Sequence, residues 1–411
     1  MKKRILALAL AGAMTAGLLT GCGGGAPAES KAPAGSAAAG SGAPAAEGGE
    51  ILVGVLANTT GDNAVYGNAV QNGVMLYIDQ LNEKGGINGK TVKAIAYDEK
   101  GDATEAVNAY NRLVGDGITA LIGSVLTGAT IAVADETYDM NMPQITASAT
   151  AAGVTMLDPE KADSEIRTNV FRSCFIDPFQ GEKMAQYAKD KLSAATAAVI
   201  FETGNDYAEG LKDAFVAKCG ELGITVTNEE AYAKGDVDFK AQMTNVAASN
   251  PDVVFCPNYY EDSGMIVTQA RQVGVTSTFL GGDGWGSIAK YASAEDLEGA
   301  VYCSGYAAGT PAVAQFESAY TAKYNEDVPN MFAPLGYDSA MLMCNALKAA
   351  EDAGLEAGTD EYKQAVIDAM KATKGLEGIT GTYEFDEYNN PIKSAAMMKL
   401  EGGKEVFSEM F

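Results

Sequence analysis

Histidine is missing from all 411 residues. That absence excludes histidine general bases, Ser-His-Asp and Cys-His nucleophile systems, and the common zinc sites built on imidazole. An enzyme made from this chain would have to work with carboxylates, lysine or tyrosine. Cysteine is scarce: beyond Cys22 only Cys174, Cys219, Cys256, Cys303 and Cys344 occur. They are odd in number and far apart, with no C-x-x-C pair, so neither a disulfide framework nor a zinc cluster is signalled, and no cofactor or metal is expected. Cys174, Cys256 and Cys303 lie in apolar, strand-like runs where a small buried hydrophobe is the commoner role, with one disulfide left open. Basic groups are outnumbered, 29 Lys and Arg against 54 Asp and Glu, for a net charge of −25. Such a surface repels nucleic acid and anionic lipid headgroups, so neither is an expected partner. The one long apolar run, Ile5 to Leu19, is too short and wrongly flanked for a stable membrane span.

That run is preceded by Lys2, Lys3 and Arg4 and closed by Leu19-Thr20-Gly21-Cys22. A positive start before a short apolar stretch reads as a secretory signal. The closing residues resemble the bacterial lipobox, which implies cleavage before Cys22 and lipid on its thiol and new amino group. An ordinary secretory signal with an incidental cysteine is the plainer alternative. Residues 23–49 are almost entirely Gly, Ala, Ser and Pro, a flexible tether with a reach of roughly 30 Å. The remaining body of about 360 residues exceeds the size at which one core keeps growing, so two domains are expected.

The body alternates strand-like and helix-like segments. Ile51–Ala57 is a continuous apolar run, as in a strand buried on both faces. Tyr66–Glu83 has helical spacing and ends in Lys84-Gly85-Gly86, a stop signal. Strands at Thr91–Asp98, Ala120–Ser124 and Gln144–Ala147 and helices at Ala103–Gly115 and Gly128–Tyr138 complete a first series. A second series has strands at Ala197–Glu202, Thr225–Tyr232, Asp252–Pro257 and Thr278–Gly281. Its helices run over Tyr207–Leu222, Phe239–Ser249 and Ser263–Val273. Two such series predict an α/β protein with two doubly wound parallel sheets. Ligands of such sheets bind in loops at the carboxyl ends of strands.

Those loops carry the polar candidates. The first runs from Asn58 to Gly67, with Tyr66 opening the helix behind it. Ser124-Val125-Leu126-Thr127-Gly128 leads into a helix start where free N–H groups and the Thr127 hydroxyl suit an anion; an N-cap role for Thr127 is the alternative. Ile145-Thr146-Ala147-Ser148-Ala149-Thr150 crowds hydroxyls at the next strand end; an ordinary polar loop is the alternative. Asp283, between glycines, would either pair with an ammonium group or shape an Asx-turn. Tyr207, Tyr259 and Trp285 would either wall an apolar pocket or fill the core.

Taken in order, LVGVLANTTGDNAVYGNAVQNGV, LNEKGGINGK, YDEKGDATEAV, SVLTGAT, ITASAT, GNDYAEG and FLGGD resemble the solute-binding proteins of branched-chain amino acid ABC transporters. This is the Leu/Ile/Val-binding protein family, of the type I periplasmic fold, and the resemblance spans about Ile51 to Leu400. It implies no catalysis but a monomeric, membrane-anchored receptor that closes on a zwitterionic amino acid and delivers it to a permease and ATPase. Thr127 and the Gly128 and Thr150 amides would hold the carboxylate. Ser148, Thr150 and Asp283 would hold the ammonium, and Tyr66, Val125, Leu126, Tyr207 and Tyr259 would line the side-chain pocket. Trp285 would floor it or narrow it. Three crossovers near Phe171–Phe175, Val301–Gly305 and Gly378–Tyr383 would divide the chain into discontinuous lobes, 50–174 plus 305–380 and 175–304 plus 381–411. Asp283 replaces the glutamate of the Leu/Ile/Val binders, and the early disulfide of that group lacks both partners. An aromatic amino acid, an amide or urea is therefore the alternative solute to an aliphatic amino acid. A ligand-presenting sensor is the alternative role, and a hydrolase using Asp283, Glu261 and Asp262 the enzymatic one.

Overall fold

The computed structural model describes residues 48–411 except 162 and 312; the leader, Cys22 and the tether up to residue 47 lie outside the described residues. The first series forms β1 (Gly48–Ala57), α1 (Ala64–Glu83), β2 (Lys90–Asp98), α2 (Ala103–Gly115), β3 (Ala120–Ile122), α3 (Thr127–Asp139), β4 (Gln144–Thr146) and β5 (Val170–Arg172). These strands make one parallel sheet in the order β2-β1-β3-β4-β5. Ile51, Val53, Val55 and Leu56 are fully buried, which the continuous apolar run of β1 requires. The expected tether ends earlier than Gly49, because Gly48 already pairs beside Lys90 in the sheet.

The second series is α4 (Asp177–Asp190), β6 (Thr196–Glu202), α5 (Asp206–Leu222), β7 (Thr225–Tyr232), α6 (Lys240–Ser249), β8 (Val253–Phe255), α7 (Tyr260–Gln272), β9 (Thr278–Gly281), α8 (Ala294–Leu297) and β10 (Val301–Ser304). The chain continues through α9 (Ala314–Tyr324), α10 (Phe332–Asp352), α11 (Asp360–Lys371), a hairpin β11 (Lys374–Gly378) and β12 (Gly381–Glu384), then β13 (Ala396–Glu401) and β14 (Lys404–Met410). The second sheet runs β14-β13-β10-β9-β8-β6-β7. It is parallel from β7 to β10, as expected, but β13 and β14 add an antiparallel edge.

Helix α10 returns to the first half of the molecule and lies along α1. The approach is close enough that a Cβ on Gly73 would fall 1.9 Å from the Ala333 carbonyl oxygen, and one on Gly336 2.3 Å from that of Val70. Glycine at both contact points is therefore required by packing rather than by backbone angle.

Three passages join the sheets: after β5, after β10, and ahead of β13. The third lies later than the expected Gly378–Tyr383. Phe385 still packs on Phe171 at 5.2 Å, and the Asn389 amide donates to the Val170 carbonyl at 3.1 Å, so the chain leaves the first sheet only beyond these residues. A polar cluster binds the passages. Asp338 on α10 accepts from the Ile379 and Thr380 amides at 2.7 and 2.8 Å and from the Tyr383 hydroxyl at 3.0 Å. Lys393 donates to Tyr383 Oη at 2.8 Å and to the Thr380 carbonyl at 3.1 Å. Burial lowers the Lys393 ammonium to about 8 despite the pull of Asp338.

Cys174, Cys219, Cys256, Cys303 and Cys344 are all buried and unpaired. Burial pushes each thiol up, as suits small hydrophobes without redox work.

Candidate functional site

The loops at the strand ends of both sheets line a narrow inner cavity formed by Tyr66, Val125, Leu126, Thr127, Ser148, Tyr207, Tyr259, Asp283, Gly284 and Phe332, with free space of only about 10 Å³. A larger cleft of about 520 Å³ adjoins it, and Leu126 and Tyr259 border both spaces.

One wall is the start of α3. Thr127 is the first helical residue and not the N-cap; Leu126 holds the cap position in extended conformation, without a side-chain hydrogen bond. The first regular helical bond is Thr130 N–H to the Leu126 carbonyl at 2.9 Å. The amides of Thr127, Gly128 and Ala129 thus precede the ladder and have no side-chain cap, the electropositive end of a helix facing a cleft. Gly128 borders the outer cleft, and a Cβ there would meet nothing within 4 Å, so its amide is open to an incoming group.

The adjoining loop is held rigidly. Thr146 Oγ1 donates to the Ser124 carbonyl at 2.8 Å and accepts from the Ser148 and Ala149 amides, while the Ser148 hydroxyl donates to the Val125 carbonyl at 2.7 Å. The hydroxyl of Ser148 is therefore committed to scaffolding. Thr150 is fully buried behind this loop, and its hydroxyl has no hydrogen-bond partner.

The opposite wall comes from the second sheet. Asn205 caps α5 by accepting from the Tyr207 and Ala208 amides, which sets Tyr207 on the cavity side. The Tyr207 ring stacks on Tyr259 with centroids 5.1 Å apart and planes at 5°. Tyr207 Oη accepts from the Gly284 amide at 2.8 Å. Tyr66 reaches over from α1, donating to the Gly284 carbonyl at 2.5 Å and accepting from the Tyr260 amide at 3.1 Å. Its ring meets Phe332 edge-on at 4.7 Å.

Asp283 begins a 3-10 turn after β9 and is almost completely buried. Gln180 grips it twice: the Asp283 amide donates to Gln180 Oε1 at 2.8 Å, and Gln180 Nε2 donates to Asp283 Oδ1 at 3.2 Å. The other carboxylate oxygen, Oδ2, has no partner. Burial pushes this carboxyl up to about 6, against the lowering effect of Tyr207, Gln180 and the Gly284 amide. A buried carboxylate with an open oxygen is costly to keep charged unless a cation pairs with it.

Trp285 stands apart from this group, contrary to expectation. It is fully buried, its indole N–H donates to the Cys256 carbonyl at 2.8 Å, and its ring covers Gly281, where a Cβ would lie 2.3 Å from it. The tight 3-10 turn sends Asp283 and Trp285 to opposite sides, so Trp285 is core of the second sheet and not cavity floor. Phe332, Gly284 and the Asp283-holding Gln180 were not foreseen. Phe332 is placed by the Asn330 side chain, which accepts from its amide at 3.0 Å; an Asn two residues before an apolar helix start was the available signal.

The cavity has aromatic and aliphatic walls, an uncapped helix start and a single acidic side chain, and no lysine or arginine lines it. The outer cleft bears Asp62, Asp102, Glu202, Asp206, Asp236, Glu261 and Asp262 against Lys100 and Lys234. Glu261 and Asp262, the two residues after Tyr260, lie there and not in the inner cavity lining. Among the described residues no group of three His, Cys, Asp or Glu side chains is placed to hold a metal ion.

Two α/β sheets with a polar-ended, apolar-walled cavity among their facing loops are the architecture of a binding receptor. The chain belongs to the periplasmic binding protein family, whose profile matches residues 50–404. It is 31% identical over 364 residues to the Leu/Ile/Val-binding protein BraC3 of Rhizobium johnstonii, covering 88% of this chain and 94% of that protein. A Leu/Ile/Val-binding protein homologue of Brucella melitensis is 30% identical over 363 residues, with coverage of 87% and 93%. Among solved structures it is similar to the branched-chain amino acid transporter substrate-binding protein LivJ of Streptococcus pneumoniae in complex with isoleucine. That match has a TM-score of 0.78 and 32% identity, covering 88% of this chain and 99% of that one. The leucine-binding protein LivK of Thermotoga maritima gives a TM-score of 0.78 at 29% identity, with coverage of 88% and 98%. The family is one of extracytoplasmic solute-binding proteins of transport systems and not an enzyme family.

Proposed function

We propose that this chain is a lipid-anchored receptor that captures an aliphatic amino acid in the inner cavity and delivers it to an ABC importer without catalysis. The observation that carries the reading is the polarity of the chamber. Asp283 offers an open carboxylate oxygen on one side, α3 offers uncapped amides on the other, and the rest is apolar. A zwitterion with a hydrocarbon side chain matches all three features, whereas an anionic side chain would meet no cation. The α3 amides and Thr127 hydroxyl take the carboxylate; Asp283, the Thr150 hydroxyl and the Ser148 carbonyl take the ammonium. Tyr66, Val125, Leu126, Tyr207, Tyr259 and Phe332 enclose the side chain.

The two sheets are the cores of two lobes that hinge at the three passages, and closure presents a surface to the permease. Cys22 and the tether keep the monomeric receptor at the outer face of the membrane. The relatives named for leucine, isoleucine and valine support the side-chain preference. A thermal-shift screen of the protein lacking residues 1–22 against the twenty amino acids, amides and urea tests the reading, since a tight ligand stabilises by mass action. Leucine, isoleucine or valine is expected to give the largest shift. A shift with urea or an amide alone overturns the amino-acid assignment, and turnover of the added compound overturns the non-catalytic one. Labelling of the full-length protein with a palmitate analogue, abolished by Cys22→Ala, tests the anchor.

A further inference from the structure

Resting on the amino-acid reading above, we propose that Asp177 is a second carboxylate for the ligand's ammonium group, acting beside Asp283 and the Thr150 hydroxyl. Asp177 opens α4, immediately after the first passage between the sheets. It is completely buried, and neither of its carboxylate oxygens has a hydrogen-bond partner. Residues three apart share a helix face, and Gln180, one turn on, holds Asp283. Asp177 thereby shares a helix face with the residue that holds Asp283, behind the residues that line the chamber. Its amide donates to the Thr150 carbonyl at 3.0 Å, which fixes it against the loop bearing the unpartnered Thr150 hydroxyl. That hydroxyl faces the Asp177 carboxylate without a well-formed bond to it. Glycine at 210 leaves room: a Cβ there would stand 3.0 Å from Asp177 Oδ2.

Open acceptors of three residues, all buried, thus converge on one place: Asp177, Asp283 and Thr150. Among the described residues the cation that acts on them is Arg172, whose charge lowers the Asp177 carboxyl and whose Nε has no hydrogen-bond partner. Its Nη atoms donate to the neutral Ala149 and Ala151 carbonyls at 3.0 Å each and to Thr155 Oγ1 at 3.1 Å, and no hydrogen bond joins it to either carboxylate. Asp206 and Tyr207 from α5 and Tyr259 ahead of α7 are the other titratable groups around the pair, and none is positive. Cys174 and Cys303 feel Asp283 but stay neutral, burial pushing both thiols up. Lys393 and Lys183 exert their pull on those cysteines, not on the carboxyls. Two buried carboxylates beside one guanidinium leave a negative charge uncompensated, so in this proposal the ligand-free protein keeps a proton on the pair. Burial raises the Asp177 carboxyl well above its usual range, with the Asp283 charge adding to the rise and the Thr150 hydroxyl and Arg172 charge opposing it.

A primary ammonium, with three N–H donors, satisfies both carboxylates and the hydroxyl. Its entry favours the ionised form of each carboxyl, so the resident proton passes to solvent. Binding at neutral pH is then coupled to proton release, and affinity falls as pH drops below that of the free pair.

Calorimetry with L-isoleucine and L-leucine, in buffers of different ionisation enthalpy, reads both affinity and protons released. In Asp177→Asn, affinity is expected to fall roughly 30-fold or more, proton release to diminish, and the ligand-free protein to melt at a higher temperature. The last follows because a buried group without partners is relieved. Unchanged affinity and unchanged proton release in Asp177→Asn overturn the assignment. Asp283→Asn supplies an independent reading on a chain that keeps Asp177: residual proton release supports the assignment and its complete loss overturns it. If the unaltered protein binds no amino acid at all, the amino-acid reading itself is overturned instead.

Discussion

Asp283 and Trp285 sit two residues apart and have opposite fates, which shows what a single side chain's direction decides. Asp283 keeps one oxygen open to the chamber while Gln180 holds the other; Trp285 turns into the core and spends its N–H on the Cys256 carbonyl. Asp283→Ala removes the charged partner of the proposed ammonium. It is expected to weaken amino-acid binding by about 2–5 kcal/mol with the fold retained, measured by titration calorimetry alongside circular dichroism. Equal affinity for every amino acid would remove Asp283 from the site. At this scale the sequence was readable where a residue type is rare in its setting. An aspartate among glycines and tyrosines at helix starts pointed to the cavity, and the structure puts Tyr66, Tyr207 and Tyr259 there. It was unreadable where direction depends on a distant chain. Asp177 lies in a segment with no local sign of burial, and only the packing of β5, α4 and α5 around it makes it interior.

At the scale of elements, β1, β3, β4, β6, β8 and β9 were legible because a strand buried on two faces must be continuously apolar. Strands β2 and β7 are partly exposed, and β5 and β10 were expected only as crossovers. Observed bounds differ from the expected ones by only a few residues at β3, β8 and α7, where capping is decided by loops. The region after β10 carried no such mark. Helix α10 is buried over most of its length, so its apolar residues lack a clear one-sided period, and β13 and β14 join the sheet antiparallel through contacts distant in sequence. The α1–α10 contact was equally silent, since glycines inside helices give no hint of which neighbour they admit. Gly336→Ala would drive a methyl into the Val70 carbonyl and must push the two helices apart. A loss of about 1–3 kcal/mol in denaturant-induced unfolding is expected, with helix content preserved. A neutral substitution would mean that the helices can separate at that point without penalty.

For the whole molecule, the decisive feature is that hydrogen bonds bridge the chamber directly. Tyr66 from α1 bonds the Gly284 carbonyl beyond β9, and the Tyr260 hydroxyl at the start of α7 donates to the Asp62 carbonyl at 2.6 Å. In the proposed closure cycle such bonds exist only when the lobes meet, so they bias the equilibrium toward the closed form without touching the solute. Tyr260 suits a test, since it lies outside the cavity lining and its ring would remain packed on Tyr66 after loss of the hydroxyl. Tyr260→Phe removes one neutral hydrogen bond, worth about 0.5–1.5 kcal/mol net. Because apparent affinity scales with the fraction of closed-competent protein, binding is expected to weaken by roughly 2- to 12-fold. The change should fall on dissociation, as the encounter with an open cleft is unaffected. Stopped-flow displacement of L-isoleucine reads this directly. Faster release with an unchanged association rate, at unaltered melting temperature of the ligand-free protein, is the expected result; a change confined to association would place Tyr260 at the entrance instead of the latch.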